Sequence, residues 1–269
     1  MARQRLGQHF LASAAWRNRI LETLPRNGGE TWVEIGPGHG EMTLLLAATG
    51  RRILAVEADP HLARNLQRNT QIEPEKWPGL TVVPGDILQQ DLAKLTDSQR
   101  FRVYGNLPYY ITSPILHHLF AFADRIASIH IVVQWEVAAR IAAKPGRREY
   151  GYLSVACQFY SQPEVVFRIP PGAFRPPPHV MSALVRMDLP GERTSLAITK
   201  EEAFLKFVQL CFSQKRKTLR NNLRAVYKEE EIQAALTSAH LSFDARAEQL
   251  TLGQFAAVYS NLAGNTSNP

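Results

Sequence analysis

Residues 106–109 read Asn-Leu-Pro-Tyr, directly after a strand-like run from Phe101 to Gly105. An amide, a stiff proline turn and an aromatic ring in succession suit substitution on the exocyclic amine of a nucleobase. The lone pair of adenine N6 is delocalised into the ring, which makes that nitrogen a poor nucleophile. The side-chain oxygen of Asn106 and the carbonyl of Pro108 could accept its two N–H groups and turn the lone pair towards an electrophile, while Tyr109 stacks on the base. If the electrophile is a sulfonium methyl, alignment is most of what the step needs, because the leaving group is cationic and departs neutral. Read alone, the tetrapeptide is equally an ordinary turn, since Asn and Pro both favour turns. A second stiff segment, Gly-Ala-Phe-Arg-Pro-Pro-Pro at 172–178, offers Phe174 either as a clamp on the opposite face of a flipped base or as a core plug.

The methyl donor is read from three earlier sites. Trp32 to Ile35 runs into Gly36-Pro37-Gly38-His39-Gly40 and then a helical stretch from Glu41. Glycines allow a tight turn with close backbone approach to a ligand, here with Gly36 and Gly38 nearest to it, and the next helix presents free N–H groups. A dinucleotide fingerprint would need a third glycine where Glu41 stands, and that carboxylate would oppose a pyrophosphate. A nucleoside without phosphates fits better. Glu57, 21 positions after Gly36, is placed to accept from both hydroxyls of a ribose, and Asp86 to meet an adenine edge. Each acid alone reads as a solvated cap; at successive strand ends beside a glycine loop they point to S-adenosylmethionine. His39, His117, His118 and His179 show no metal-ligand spacing and two cysteines make no Cys-rich zinc site, so no metal is expected.

These residues need a sheet that brings strand ends together. Apolar runs at Thr31–Gly36, Arg52–Glu57, Leu80–Pro84, Phe101–Gly105, Ile129–Gln134, Val165–Ile169 and Ala183–Met187 alternate with helix-like stretches, which predicts a seven-stranded, mostly parallel α/β sheet. The last two runs are joined by a proline-rich turn too short for a crossover helix, and are expected to be antiparallel. After a linker at 189–193 no strand-like run follows. Thr199 with Glu202 and Thr251 with Gln254 have capping-box spacing, so a small all-α domain is expected over 195–262, following a first domain over 1–188 and preceding a flexible tail over 263–269.

The 269 residues carry 31 Lys and Arg against 24 Asp and Glu, a net charge of +7. That balance favours a polyanionic partner. From Ala203 to Lys228 there are seven basic residues and no acid, among them Lys215, Arg216, Lys217, Arg220 and Arg224, with Asn221 and Asn222 as neutral donors. Arg140, Lys144, Arg147 and Arg148 form another cluster after the fifth strand. Together they are read as a phosphate-tracking surface. Two cysteines supply no disulfide framework and fit a reducing compartment. The uncharged stretch 103–123 is interrupted by Gly, Asn, Pro and His residues, against a membrane span. No apolar segment precedes Ala12-Ser13-Ala14, against secretion, although the Arg-rich, acid-poor N-terminus keeps an organelle transit peptide open beside the preferred cytoplasmic location.

Four ordered motifs, Arg5-Leu6-Gly7-Gln8-His9-Phe10-Leu11, Glu34 to Gly40, Asn106 to Tyr109 and Phe174 to Pro178, together with Phe212 to Leu223, resemble the small-subunit (16S) ribosomal RNA adenine dimethyltransferases across the chain. The resemblance implies a Rossmann-like class I methyltransferase sheet with a helical C-terminal domain. It also implies conversion of two adjacent adenosines near the 3′ end of the small-subunit RNA to N6,N6-dimethyladenosine, late in ribosome assembly. It makes His9 and Leu11 cofactor contacts from an N-terminal segment folded over the ligand. The partners implied are the small ribosomal subunit and its RNA, with the protein acting as a monomer. The family usually has Asn at position 9 and Lys-Val-Asp-Ser where this chain has His179-Val180-Met181-Ser182. Rival readings are a methyltransferase-like assembly or transcription factor without catalysis, opposed by the intact Asn106 to Tyr109 motif, and a resistance methylase acting on large-subunit RNA. A nicotinamide dehydrogenase fails on Glu41.

Overall fold

The computed structural model describes residues 9–25, 30–108 and 110–265. In chain order its strands are β1 (Phe10–Leu11), β2 (Thr31–Ile35), β3 (Ile53–Glu57), β4 (Leu80–Pro84), β5 (Phe101–Asn106), β6 (Ile126–Gln134), β7 (Gln162–Ile169), β8 (Phe174–Arg175) and β9 (Ser182–Asp188). The α-helices are α1 (Ala14–Thr23), α2 (Glu41–Ala47), α3 (Pro60–Ile72), α4 (Leu92–Leu95), α5 (Thr112–Phe120), α6 (Trp135–Ile141), α7 (Tyr152–Tyr160), α8 (Glu201–Cys211), α9 (Leu219–Leu223), α10 (Glu229–Ser238) and α11 (Leu252–Asn265). The chain forms two compact units, one taking the chain up to Ala138 with Glu164–Leu189, the other Ala139–Pro163 and the chain from Pro190.

The first unit holds a seven-stranded sheet in the order β4-β3-β2-β5-β6-β9-β7. Strands β4, β3, β2, β5 and β6 are parallel, and β9 enters antiparallel to β6. The two last long strands lie side by side, as their short proline-rich connection requires. β2 and β3 are buried at every residue and β5 and β6 at most of theirs, which is why they read as largely unbroken apolar runs rather than alternating ones. Their order reverses at β2, which has β3 on one side and β5 on the other. The crevice outside the carboxyl ends at such a reversal is where open α/β sheets bind ligands.

Two short strands escape a reading based on apolar runs. β1 and β8 pair antiparallel, Phe10 with Arg175 and Leu11 with Phe174, and the N–H groups of Ala12 and Ser13 both donate to the Ala173 carbonyl. This clasp ties the N-terminal segment to the proline-rich one.

The second unit is helical, with Phe204 and Phe207 of α8 packed on Tyr259 of α11 at ring distances of 5.4 and 5.5 Å. It also contains 139–163, which lies before the expected boundary at 188. Phe159 packs on Phe204 at 5.2 Å, Tyr150 on Phe212 at 6.1 Å, and the Tyr150 hydroxyl donates to the Leu250 carbonyl at 2.9 Å, so this stretch shares the helical core. The Thr251–Gln254 box forms, with Thr251 N–H on Gln254 Oε1 and Gln254 N–H on Thr251 Oγ1. The Thr199 box does not, because α8 begins at Glu201 with Lys200 as its cap, one residue too late for Thr199. Nor does a tail begin at 263, since α11 continues through Asn265.

Candidate active site

The glycine turn leaves β2 with Gly36, Gly38 and Gly40 all at positive φ (67°, 61° and 86°). A Cβ on Gly38 would sit 2.8 Å from the Phe10 ring, whereas one on Gly36 would meet nothing within 4 Å. Gly36 therefore turns its bare face to open space, and Gly38 closes against the N-terminal segment. The turn is fastened from β3. Glu57 accepts from the Gly38 N–H at 2.9 Å through one carboxylate oxygen and from the Asp59 N–H at 2.8 Å through the other. Each oxygen keeps acceptor capacity for a ligand. Burial raises the Glu57 pKa, opposed by those backbone hydrogen bonds.

Two clefts meet at Gly36. The larger, about 460 Å³, runs from Gly36 past Glu57 and Asp86 to Pro108 and Tyr110, floored by Ile87 and Ile111. Its apolar floor with acids at one end fits a nucleoside, the rings on the isoleucines and the hydroxyls on Glu57. Asp86 reaches it while one of its oxygens accepts from the Leu88 N–H at 3.0 Å, leaving the other for an adenine edge. The smaller cleft, about 360 Å³, is lined by Phe10, Leu11, Arg17, Glu34, Tyr104 and Asn106, among others. Leu11 thus lines the site. His9 does so through its backbone: its carbonyl accepts from Asn106 Nδ2 at 2.8 Å, while its Nδ1 lies 2.7 Å from the Pro176 carbonyl.

That hydrogen bond sets Asn106. Only the amide nitrogen can donate to a carbonyl, so Nδ2 faces His9 and Oδ1 is the atom left to accept; it takes no hydrogen bond from the described residues. The flat side of the sheet beneath is supplied by Gly105, where a Cβ would lie 2.8 Å from Leu107 and 3.1 Å from the Ile35 carbonyl. The Leu107 N–H donates to the Val132 carbonyl at 3.0 Å, which holds the turn after β5 against β6.

Two expected roles are corrected. Phe174 is fully buried among core residues including Leu11, Ile169 and Leu184, so its ring has no face for a base and serves the clasp instead. The Pro108 carbonyl already accepts from the Ile111 N–H and the Thr112 hydroxyl, each at 3.3 Å, so a substrate amine would have to displace them. Asn106 Oδ1 is the acceptor at hand. Tyr109 lies outside the described residues.

Arg17, Tyr104 and Tyr110 were not singled out in the sequence, and Glu34 entered only as the acidic strand residue before the glycine turn, with no role of its own. Glu34 is 2% exposed on β2, with Oε2 unpartnered, and burial pushes its pKa up to about 7. The neighbouring Glu57 charge adds to the shift, and the Thr43 hydroxyl tempers it without completing a well-formed hydrogen bond. An unpartnered carboxyl at the smaller cleft suits a cationic group, as the amino-acid end of the donor carries. Arg17 donates to the Leu11 carbonyl at 2.8 Å and lies 4.0 Å from Glu41. The acid just before the glycine turn was the available signal for Glu34; Arg17 on α1 had none.

Arg147, Arg148, Lys215, Arg216 and Lys217 are all exposed on the second unit, and the Lys215 ammonium donates to the Arg148 carbonyl, which joins the two basic clusters. Arg220 and Arg224 are different. Both pair with Glu229, one residue past the acid-free run, and that pairing lowers the Glu229 pKa. Asn222, expected as a donor to the partner, is 4% exposed and donates inward to the Cys211 carbonyl at 2.6 Å.

A sheet of this order, with a glycine turn after its central strand, an acid ending the next strand and an Asn-Leu-Pro turn beyond β5, defines an S-adenosylmethionine-dependent methyltransferase. The donor fits the residues present, with Gly36 open beneath it, Glu57 and Asp86 at the nucleoside end and Glu34 unpartnered at the other. The chain belongs to the ribosomal RNA adenine dimethylase family, whose sequence profile matches residues 1–264. It is 42% identical over 260 residues to ribosomal RNA small subunit methyltransferase A of Acidobacterium capsulatum, covering 96% of this chain and 90% of that one. Among solved structures it is similar to the 23S rRNA methyltransferase ErmE, with a TM-score of 0.71 and 27% identity over 94% of this chain and 99% of that one. A dimethyladenosine transferase from Plasmodium falciparum shares the fold, with a TM-score of 0.77 and 22% identity over 96% and 98% of the two chains.

Proposed function

We propose that this protein dimethylates the N6 amines of two adjacent adenosines near the 3′ end of small-subunit ribosomal RNA, acting on an assembling subunit in the bacterial cytoplasm, as a monomer. The observation that carries it is the Asn106 amide, whose nitrogen is held by the His9 carbonyl so that its oxygen is left to accept an exocyclic amine. S-adenosylmethionine supplies a methyl group on a cationic sulfur that departs as a neutral thioether.

The protein's share of the step is placement. Asn106 Oδ1 takes one N–H of the amine and holds the lone pair out of conjugation with the ring. Glu57 and the backbone at Gly36 fix the nucleoside end of the donor, and Asp86 takes its adenine edge. No strong base is needed: attack uses the lone pair to form the N–CH3 bond and leaves a cationic, strongly acidic nitrogen, which loses a proton to water, and the electron pair of that broken N–H bond conjugates with the ring again. Relatives named for small-subunit RNA at about 40% identity support that substrate over the large subunit. No helix among the described residues is long and apolar enough to cross a membrane.

The test is incubation of the purified protein with labelled S-adenosylmethionine and unmethylated small or large subunits, followed by nucleoside analysis. Labelled N6,N6-dimethyladenosine is expected from the small subunit alone. Label in the large subunit only, or none in either, would overturn the reading.

A further inference from the structure

Trp135 directly follows β6 at the same sheet edge as Asn106. Val132 is the register partner of Asn106, so Trp135 lies one strand over and about 10 Å further along the strand direction. The Trp135 backbone N–H donates to the Met181 carbonyl at 2.9 Å, which anchors the loop before β9. The Arg168 guanidinium lies over the Trp135 ring with its central carbon 3.6 Å from the centroid. No carboxylate among the described residues pairs with Arg168, which is exposed, while the indole is half-buried. Of the seven large apolar side chains exposed among the described residues, Tyr110, Val180 and Met181 stand on the loops bordering this edge, at 62%, 45% and 36% exposure. Met181 is one of this chain's departures from the motif it otherwise resembles. An apolar, aromatic and cationic rim thus stands along this edge beyond Asn106; Tyr110 also lines the donor cleft, whereas Trp135, Arg168, Val180 and Met181 line neither cleft.

An adenine that reacts at N6 must leave its stack, which strips one face from the neighbouring base. Unpaired RNA bases find replacement faces on aromatic rings and arginine planes. For a substrate with two adjacent target adenosines, the base next to the one in the cleft is the other target. We propose that Trp135, backed by Arg168 and bordered by Met181, is the stacking platform for the waiting adenosine of the pair. The partner's chemistry matches each element: a flat ring for the indole, a phosphate for the unpaired guanidinium. The proposal rests on the RNA substrate assigned above and adds a residue that specifies how the RNA is seated.

The test compares full-length wild type, Trp135→Phe, Trp135→Leu and Trp135→Ala on unmethylated small subunits, measuring KM for subunits, kcat, and cofactor affinity by calorimetry. Losing one stacked base predicts a KM raised about 5- to 150-fold in the Leu and Ala variants, with cofactor affinity unchanged and Phe close to wild type. Leucine keeps apolar bulk without a π face, so a merely structural role would make Leu and Phe alike. An unchanged KM in Trp135→Ala, Leu matching Phe, or a parallel loss of cofactor affinity would overturn the platform while leaving the assigned reaction standing. A wild type that neither binds nor methylates small subunits would overturn both.

Discussion

Asn106 is asked to do two things with one amide: its nitrogen holds the N-terminal segment at the His9 carbonyl, and its oxygen is the acceptor left for the amine of the proposed substrate. Replacing it by Ala removes both, so rates must be compared at saturating cofactor to separate impaired binding from impaired chemistry. Asn106→Ala is expected to lower single-turnover methylation on the order of 100-fold or more while subunit binding persists, by analogy with loss of one preorganised polar group at a reacting centre. Near-normal single-turnover rates would remove Asn106 from the chemistry. Glu34 gives a second test at this scale, one that needs no substrate. Its folded pKa of about 7 lies above the ordinary 4.5, so between those values the folded protein binds more protons than the unfolded one. Stability is then fullest below about pH 4.5 and declines as pH rises through 7. Glu34→Gln should remove a decline on the order of 2 to 3 kcal/mol between pH 5 and 8, seen by denaturant unfolding at each pH. Glu57 is retained in both proteins, so only its coupling to the Glu34 charge differs between them. Equal slopes would mean that Glu34 titrates normally. Residue types exposed Glu57, Asp86 and Asn106 because Glu57 and Asn106 end strands and Asp86 stands two residues past the end of another. They could not show that Phe174 faces inward or that the Pro108 carbonyl is occupied, since those depend on what packs against them.

Strands and turns carry those side chains, and the long ones were legible where burial on both faces left unbroken apolar runs. β6 and β7 proved longer than their apolar cores, beginning at Ile126 and Gln162, because pairing with neighbours extends a ladder past the residues that advertise it. β1 and β8 carry two residues each and exist only through each other, so no local pattern marks them. The glycine turn was legible in kind, and the structure separates its members. Ala at either 36 or 38 forces a side chain into the left-handed region, costing about 1 to 2 kcal/mol. At Gly38 the added Cβ also strikes Phe10, so Gly38→Ala should lower thermal stability further and disturb the N-terminal clasp. At Gly36 the Cβ enters open space, so Gly36→Ala should keep the clasp and lose cofactor affinity at least tenfold by filling the donor's place. Calorimetry with the demethylated cofactor, alongside thermal unfolding, distinguishes them. Equal effects of both variants on both measurements would mean that the turn acts only through its backbone conformation.

At the scale of the molecule, composition announced a polyanionic partner and the structure sorts the charges that can meet one. An acid-free run of sequence is not an acid-free surface, because Glu229 folds back onto Arg220 and Arg224 from the start of α10. Exposed ion pairs contribute little to stability. Their effect on binding is larger, since a guanidinium shared with a carboxylate presents less net charge to a phosphate. Lys215, Arg216 and Lys217 are exposed and, in the described residues, pair with no carboxylate, and Lys215 links them to Arg148. The basic residues are therefore expected to contribute unequally to counterion release. Changing Lys215, Arg216 and Lys217 to Glu should flatten the dependence of subunit binding on salt by ~0.7 to 0.9 logarithmic units for each phosphate no longer neutralised. Changing Arg220 and Arg224 to Gln should flatten it less, and adding Glu229→Gln to a protein that keeps both arginines should steepen it. Cofactor affinity should be the same in all three, because none of these residues lines either cleft. Filter binding of unmethylated small subunits over a range of salt concentrations makes the measurement. A slope unchanged by the triple substitution would make 215–217 a bystander face, and a slope moved most by Arg220 and Arg224 would mean that RNA displaces Glu229 to reach them.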